Sequence, residues 1–190
     1  TIVLAIEQSD SAEFCSILLL DDEGKHLLIG AAPSLPDFYN SAVHGIEIGE
    51  GVGSCGTAAF SHKRVIVEDI QTHPYWEPYK DLAAQANLGA CWSEPIIDYN
   101  GQVLGTFAIY HQKATQPKES HLNLITSTTR LVAFMIAHKR IDEEQQLTSS
   151  VFNVAQEGIM VTDTQGHILA VNPMFTKITG YSRDEILGKI

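Results

Sequence analysis

The chain of 190 residues has few cysteines, few basic residues and no long apolar run. Its three cysteines, Cys15, Cys55 and Cys91, are odd in number and far apart, which argues against a disulfide framework and indicates a reducing, cytoplasmic compartment. Twelve Lys and Arg against 23 Asp and Glu leave a net charge of −11, so nucleic-acid binding is not expected. No apolar stretch approaches the roughly 20 residues of a membrane helix, so no membrane segment is expected within this chain.

Four histidines raise the question of a metal or haem site, and their spacing argues against one. His44, His62, His73 and His111 form no close helical pair, and the chain contains no Cys-x-x-Cys motif. Strong metal motifs consist of closely spaced ligands of this kind. We therefore predict no metal site, and the sequence names no cofactor.

Most of the chain alternates short apolar runs with turn residues, which predicts an α+β fold built on an antiparallel sheet. Asn100-Gly101 between two apolar runs is the strongest short-range signal for a β-hairpin, and the acidic residues and glycine at 21–24 mark a second hairpin. Five or six strands are expected, with helices between them and at both ends. The runs predicted as strands are residues 14–20, 27–31, 65–67, 90–97 and 103–110, and those predicted as helices are residues 2–8 and 76–86.

The last helix of this region is predicted to begin near Pro117 and to run to about Gln146, since no glycine or proline interrupts it. Two apolar stripes follow its length: Leu122, Ile125, Val132 and Ile136 form one, and Leu124, Leu131, Met135 and Ile141 form the other. Because one sheet covers one stripe, the second stripe predicts a homodimer through this helix as a short coiled coil. The alternative is a single broad apolar face on a buried helix.

Residues 51–56 spell G-x-G-x-x-G, a pattern with two interpretations. A dinucleotide site would need a buried strand before the glycines and a βαβ unit around them, but the preceding residues 46–48 are few and polar at their centre. We therefore predict a glycine turn that leads into a helix from Thr57, with Ser54 as its cap. A helix start presents free N–H groups that could hold an anionic group of a ligand.

Three blocks between residues 45 and 110 resemble a GAF domain: GIEIGEGVGSCGTAAFSHKRVIVEDIQTHPYW, LGACWSEPI and GQVLGTFAIY. The resemblance extends over roughly residues 10–139, and we place the bounds of the module at residues 1–139. It implies a six-stranded antiparallel sheet with flanking helices and a ligand pocket on one face. It also implies a sensory role, since the blocks look most like GAF domains of bacterial multidomain proteins.

The end of the chain, residues 151–190, resembles the N-terminal half of a PAS sensor domain. The marks are Glu157-Gly158-Ile159, the turn at residues 163–166, Val171-Asn172-Pro173, Thr179-Gly180-Tyr181 and residues 186–189. No later strands complete a sheet, so we expect a piece of a longer signalling protein, with a signalling helix over residues 117–150. GAF–helix–PAS arrays of this kind lead into a cyclic-di-GMP synthase or phosphodiesterase, or into a histidine kinase.

The resemblance implies a pocket, and the candidate lining mixes aromatic side chains with a few polar groups, as ligand pockets do. The same aromatic residues would serve equally well in a core. Two ligand signatures of GAF domains are absent: the chain has no Asn-Lys of the cyclic-nucleotide type, and no cysteine precedes a histidine as in the bilin type. The small-molecule ligand therefore stays unnamed. The predicted ligand-binding residues are His44, Cys55, Asp69, Trp76, Tyr79, Cys91, Trp92 and Tyr110.

Cys55 and Cys91 carry the alternative functions. Free-methionine-sulfoxide reductases are GAF proteins with cysteines in similar places, where one thiolate attacks the sulfoxide and a second cysteine resolves the product. Residues 37–54 contain no further cysteine, which departs from that family. We therefore predict a non-catalytic sensor that binds a small molecule and relays its presence through the helix. A reductase, a cysteine redox sensor and a structural dimerisation module without ligand are the alternatives.

Overall fold

The computed structural model describes residues 2–8 and 13–189, with the side chains of residues 140–149 outside the description. The chain divides into two compact units, Thr1–Ile136 and Ala137–Ile190. No helix among the described residues combines the length and the hydrophobicity of a membrane span.

A six-stranded antiparallel sheet forms the centre of the first unit, as the turn signals predicted. Its strands are β1 (Phe14–Leu20), β2 (His26–Ala31), β3 (Ile46–Glu47), β4 (Val65–Val67), β5 (Ala90–Ile97) and β6 (Val103–His111). They lie in the order β3-β2-β1-β6-β5-β4, and every neighbouring pair is antiparallel. The turn from β5 to β6 uses Gly101 at a φ of 84°, a conformation that glycine adopts without strain. The predicted α+β class and six-stranded sheet are confirmed.

Helices cover both faces of this sheet. They are α1 (Ile2–Glu7), α2 (Asp37–Val43), α3 (Gly53–Ser61), a 3₁₀ helix (Pro74–Tyr79), α4 (Lys80–Gln85) and α5 (Glu119–Val154). On one face Leu18 shares a core with Tyr39 of α2. On the other face Ile17 shares a core with Val3 of α1 and Ile125 of α5. The central strands are therefore buried on both sides, which explains their nearly unbroken apolar runs.

The helix after the glycine turn begins at Gly53, four residues before the predicted start at Thr57. The predicted cap at Ser54 is wrong, because Val52 holds the N-cap position and makes no side-chain hydrogen bond there. Thr57 stabilises the turn instead: its Oγ1 accepts from the N–H of Gly51 at 3.1 Å and donates to the carbonyl of Gly53 at 2.7 Å. The antiparallel surroundings agree with a structural turn and not with a dinucleotide site.

The helical segment predicted over residues 76–86 is split in two. Its first part belongs to the 3₁₀ helix, and the α-helix begins only at Lys80. Pro78 lies at the end of the 3₁₀ helix, and proline has no N–H for an α-helical ladder. The α-helix therefore starts beyond this proline.

The helix α5 begins two residues after Pro117 and continues to Val154, beyond the predicted end at Gln146. Its first predicted stripe faces the sheet, where Ile125 and Val132 are buried. This burial attaches the N-terminal part of α5 to the sheet of the first unit, because both side chains belong to the core on that face.

The second predicted stripe of α5 is only partly exposed. Leu131 and Met135 are 48% and 54% exposed, whereas Leu124 packs against the core beneath the helix. Ile141 lies outside the side chains that the structure describes. The exposed apolar surface of this stripe is therefore centred on Leu131 and Met135.

The second unit contains a two-stranded antiparallel sheet and two short helices. The elements are β7 (Met160–Thr162), β8 (Ile168–Val171), α6 (Pro173–Thr179) and α7 (Arg183–Ile186). Asn172 holds them together: its Oδ1 accepts from the N–H groups of Ile159 and Phe175, both at 2.9 Å, and its Nδ2 donates to the carbonyl of Glu157 at 2.9 Å. Because an isolated two-stranded sheet is marginal in water, we expect this unit to need further packing.

Candidate ligand site

A recess between the N-terminal half of α3 and the sheet is the candidate ligand site, and we call it the α3 recess. Leu18 of β1 and Tyr110 of β6 line its sheet side. The helix α3 contributes residues 53–56, and the 3₁₀ helix contributes Trp76. The space open to the centre of a water molecule is about 30 Å³, and the recess with its mouth encloses about 400 Å³. The closed part has room for one or two waters, so a larger ligand must widen it.

Aromatic and aliphatic side chains dominate the α3 recess, and no charged side chain lines it among the residues that the structure describes. The lining residues are Leu18, Tyr39, Val43, Ile46, Val52, Gly53, Ser54, Cys55, Gly56, Trp76, Tyr79, Leu82 and Tyr110. The rings of Tyr39 and Tyr110 pack edge to face, with centroids 6.1 Å apart and an interplanar angle of 84°. The recess is therefore apolar, with a few hydroxyls and one thiol.

Ser54 connects three elements beside the recess. The indole Nε1 of Trp76 donates to Ser54 Oγ at 3.0 Å, and this hydroxyl donates to the carbonyl oxygen of Cys91 in β5 at 3.2 Å. All three residues are buried. The serine therefore satisfies the buried indole N–H and joins α3 to β5, a role distinct from the capping role predicted for it.

Cys55 lies at the centre of a second buried polar cluster. The hydroxyl of Ser93 donates to its Sγ at 3.5 Å, and the Tyr110 hydroxyl lies 3.7 Å from the same atom. Ser16 Oγ is 3.2 Å from that tyrosine hydroxyl. A hydrogen bond from Cys91 is the largest of several that lower the pKa of Cys55, whereas burial raises the pKa of Cys91 well above its usual value. Cys55 is therefore the thiol of this pair that ionises first.

Four of the eight predicted ligand residues line the α3 recess, and four do not. Cys55, Trp76, Tyr79 and Tyr110 lie together there. The two polar residues predicted beside them, His44 and Asp69, are absent from the lining.

His44 and Asp69 instead accept hydrogen bonds from backbone N–H groups outside the recess. His44 is exposed at the end of α2, where its Nδ1 accepts from the N–H of Ile29 at 3.2 Å. The Asp69 carboxylate accepts from the N–H of Gln71 at 2.9 Å. The sequence does not distinguish such contacts from ligand contacts, because any Asp carboxylate or neutral His ring offers the same acceptor.

Cys91 and Trp92 are neighbours in β5 and so point to opposite faces of the sheet. Cys91 is buried on the α3 side, in contact with Cys55. Trp92 is fully buried on the α5 side, where its ring stacks on His121 at a centroid distance of 5.3 Å and lies 4.6 Å from the ring of His111. Burial lowers the pKa of both histidines. Trp92 therefore belongs to the contact between sheet and helix.

A second contact of β5 with α5 runs through Arg64, and we call it the Arg64 bridge. Arg64 Nε pairs with the carboxylate of Glu94, and its Nη2 donates to Thr126 Oγ1 of α5 at 2.6 Å. The side chains of Arg64 and Glu94 are only 28% and 19% exposed. The pair is therefore screened less by solvent than an exposed ion pair would be.

A wider depression of about 540 Å³ lies beside the C-terminal end of α3. Phe60, Lys63 and Arg64 are among its lining residues. It is an open surface feature, and Arg64 is already engaged in the bridge to Glu94. Within the described part of the chain, no three His, Cys, Asp or Glu side chains gather as metal ligands do.

Residues 1–137 match the sequence profile of the GAF domain. The chain belongs to the GAF domain family. The six-stranded antiparallel sheet agrees with this assignment, and residues 156–190 match the profile of the PAS domain. The chain is thus a GAF module followed by PAS sequence.

A protein named as a sensor is similar to this chain in sequence. The methyl sulfide methyltransferase-associated sensor of Methanosarcina acetivorans is 34% identical over 187 residues, which cover 96% of this chain and 19% of that protein. The chain therefore spans about a fifth of the length of this relative.

Solved structures resemble the GAF module at low sequence identity. A domain of a protein named as a two-component sensor histidine kinase from Sinorhizobium meliloti has a TM-score of 0.63 at 20% identity, over 76% of this chain and 91% of that one. The type II free methionine-R-sulfoxide reductase of Thermoplasma acidophilum has a TM-score of 0.52 at 18% identity, over 71% of this chain and 86% of that one. At these identities the two structures show the fold alone.

The sequence interpretation overlooked small polar residues beneath the recess of the GAF module. Ser16, Ser93 and Thr106 are fully buried in otherwise apolar strands. Their signal is their spacing, since Ser93 follows Cys91 by two residues and Thr106 precedes Tyr110 by four. Residues at even spacing share a face of a strand, so sorting each strand by face would have grouped these hydroxyls with the predicted pocket.

Proposed function

We propose that this GAF module is a non-catalytic sensory input that binds a small molecule in the α3 recess and relays its presence along α5 to the PAS module. The observation that carries the proposal is the two-sided contact of β5. One face of this strand contacts α3 beside the recess, and the other face contacts α5. A ligand that binds one arrangement of α3 better than another would shift the population toward it.

The contacts on the two sides of β5 differ in kind. On the recess side, Ser54 of α3 donates to the carbonyl of Cys91. On the helix side, Trp92 stacks on His121 and the Arg64 bridge reaches α5. A ligand that displaces α3 therefore acts on β5 through a direct hydrogen bond. The strand β5 in turn contacts α5 through the side chain of Trp92.

The test of this relay begins with mass spectrometry of any molecule that the purified chain retains. Hydrogen exchange of α5 is then compared with and without that molecule. We expect the ligand to change exchange around Thr126, and Arg64→Gln to reduce this change while binding persists. Lys63→Gln, an exposed neighbour, is the matched control. If no molecule is retained and a metabolite screen never shifts the melting temperature, the structural dimerisation module is the better interpretation.

The relay is proposed to act in a homodimer through α5. Leu131 and Met135 supply the exposed apolar surface, and α5 continues well past the sheet that covers its other face. We expect Leu131→Glu to shift sedimentation toward the monomer, whereas Asn123→Glu, at an exposed polar position on the same helix, should not. Val132 is unsuitable for this test because it is buried. A concentration-independent monomer of the unmodified chain would contradict the dimer.

The output of the parent protein is proposed to be histidine kinase activity or cyclic-di-GMP turnover. The sensor name of the Methanosarcina relative and the kinase named for the Sinorhizobium structure support a signalling role. Three free, buried cysteines support a reducing, cytoplasmic location. Assays of the full-length protein for autophosphorylation with ATP and for cyclic-di-GMP synthesis and hydrolysis test the output. Absence of all three activities would contradict it.

Cysteine redox chemistry is the second candidate, and the contact between Cys55 and Cys91 favours it. A lowered thiol pKa makes a cysteine more reactive, but burial of both side chains hinders an oxidant. The test is turnover of free methionine sulfoxide with dithiothreitol, with Cys91→Ser as the control. We expect no turnover. Cysteine-dependent turnover would make the reductase the better interpretation, and a reversible disulfide without turnover would favour redox sensing.

A further inference from the structure

The lining of the α3 recess restricts the chemistry of its ligand. We infer that the recess takes a small, uncharged, largely apolar ring compound and rejects organic anions and cations of the same size. This inference rests on the proposed sensory function and goes further by naming the ligand class. It also differs from the expectation that the helix start holds an anionic group.

The first argument is the absence of a counter-charge among the described lining residues. The predicted carboxylate and imidazole, Asp69 and His44, accept from backbone N–H groups outside the recess. At the glycine turn the N–H of Gly51 is already bonded to Thr57 Oγ1. A charged group that leaves water for such a site gains no charged partner, and an unpaired buried charge is strongly unfavourable.

The second argument is that the polar groups of the recess are satisfied by one another. Trp76 donates to Ser54, and Ser54 donates to the carbonyl of Cys91. The hydroxyl of Tyr110 and the thiol of Cys55 lie in one buried cluster at 3.7 Å. A ligand with many polar groups would have to break these bonds, whereas an apolar ring leaves them in place.

The third argument concerns cations, since aromatic rings attract them through their faces. Tyr39 and Tyr110 pack edge to face on each other, so part of the ring surface is used within the protein. Much of the remaining lining is aliphatic, from Leu18 and Val52 to Leu82. The recess therefore resembles a hydrophobic slot more than an aromatic cage.

The size of the recess favours a compound of one ring. Its closed part of about 30 Å³ is much smaller than a ligand pocket, and even with its open mouth the recess encloses only about 400 Å³. A ligand of more than one ring would therefore have to displace more of the lining. Val43 at the end of α2 and Leu82 of α4 are half-buried lining residues. Small movements of these two helices would widen the space, because neither side chain is locked in the core.

A matched series of probes tests the inference: benzyl alcohol, benzoate and benzylammonium share one ring and differ in charge. Binding to the whole chain is measured by saturation-transfer NMR at neutral pH. We expect benzyl alcohol to bind with a Kd at least about tenfold lower than either ion. Val43→Trp fills the recess and should abolish this binding, whereas Phe38→Trp, at an exposed position of the same helix, should preserve it. Melting curves verify that both variants are folded.

A second test introduces a charged side chain into the lining of the recess and does not rely on the Val43→Trp variant. Leu82→Lys should allow benzoate to bind, because the new ammonium supplies the missing counter-charge. If either ion binds the unmodified chain as tightly as benzyl alcohol, and Val43→Trp abolishes that binding, the ligand class is wrong and the sensory function stands. If none of the three probes binds, the ligand class is refuted, and the metabolite screen decides whether the module is a sensor. If a probe binds and Val43→Trp leaves its binding unchanged, the recess is refuted as the binding site.

Discussion

Replacing Ser54 with alanine should destabilise the GAF module by about 3 kcal/mol. Its hydroxyl accepts from the buried indole N–H of Trp76 at 3.0 Å and donates to the carbonyl of Cys91 at 3.2 Å. A buried donor left without a partner costs about 1–3 kcal/mol, and the lost bond to the sheet carbonyl adds about 1 kcal/mol. A total of about 3 kcal/mol corresponds to roughly 10 °C in melting temperature for a module of this size.

Denaturant unfolding followed by tryptophan fluorescence measures this cost, because Trp76 and Trp92 are both buried in the GAF module. Ser61→Ala is the matched control on the same helix. The Ser61 hydroxyl only donates to the carbonyl of Thr57, so we expect a change below about 0.5 kcal/mol. Combining Ser54→Ala with Trp76→Phe removes the orphaned donor and should cost at least about 1 kcal/mol less than the sum of the single variants. A cost below about 0.5 kcal/mol for Ser54→Ala, or strict additivity, would refute the reasoning.

Three further predictions concern the sheet and its titrating groups. Gly105→Ala should cost about 3 kcal/mol or more in unfolding free energy, since a Cβ there would lie 2.0 Å from the carbonyl oxygen of Leu18; wild-type stability in a denaturant titration would contradict this. The free energy of unfolding should fall as pH drops from about 7.5 to about 5.5, because burial lowers the pKa of His111 and His121 below the ordinary histidine value and the unfolded chain then binds more protons. Replacing both by Gln should flatten that slope, and an unchanged slope would exclude them as its cause. The thiolate absorbance of the folded chain should begin to rise at a lower pH than that of Cys55→Ser, because hydrogen bonds from neighbouring side chains lower the pKa of Cys55; identical titrations of the two proteins would contradict the assignment.

The fold could be predicted from the sequence wherever a local signal agreed with the tertiary structure. Asn100-Gly101 marked the hairpin of β5 and β6, and Pro117 marked the approach to α5. The second unit likewise follows from Asn172-Pro173, where the asparagine caps α6. These signals act over a few residues, so they need no knowledge of what packs against them.

The candidate site was harder to predict because its contacts join distant segments. Ser54 lies at a helix start, where serine commonly caps, yet its partners are 22 and 37 residues away. Trp92 is of a residue type common in ligand pockets, but the alternation of side chains along β5 places it on the α5 side of the sheet, opposite the recess. Assigning Trp92 to the correct face requires the knowledge that helices cover both faces of the sheet, and the local sequence does not reveal this.

The alternation within β5 also suggests which side of the strand adapts to a ligand. Toward α3 the strand presents the small side chains of Cys91 and Ser93, and it is joined to the helix through the Cys91 carbonyl and the Ser93 hydroxyl. Toward α5 it presents Trp92, which is fully buried and stacked on His121, and Glu94 in the Arg64 bridge. Small side chains leave space for α3 to move relative to the strand. Large, closely packed side chains couple a movement of the strand to α5, because a packed interior does not deform easily. We therefore expect the contact between α3 and β5 to change when a ligand binds, and α5 to move with β5.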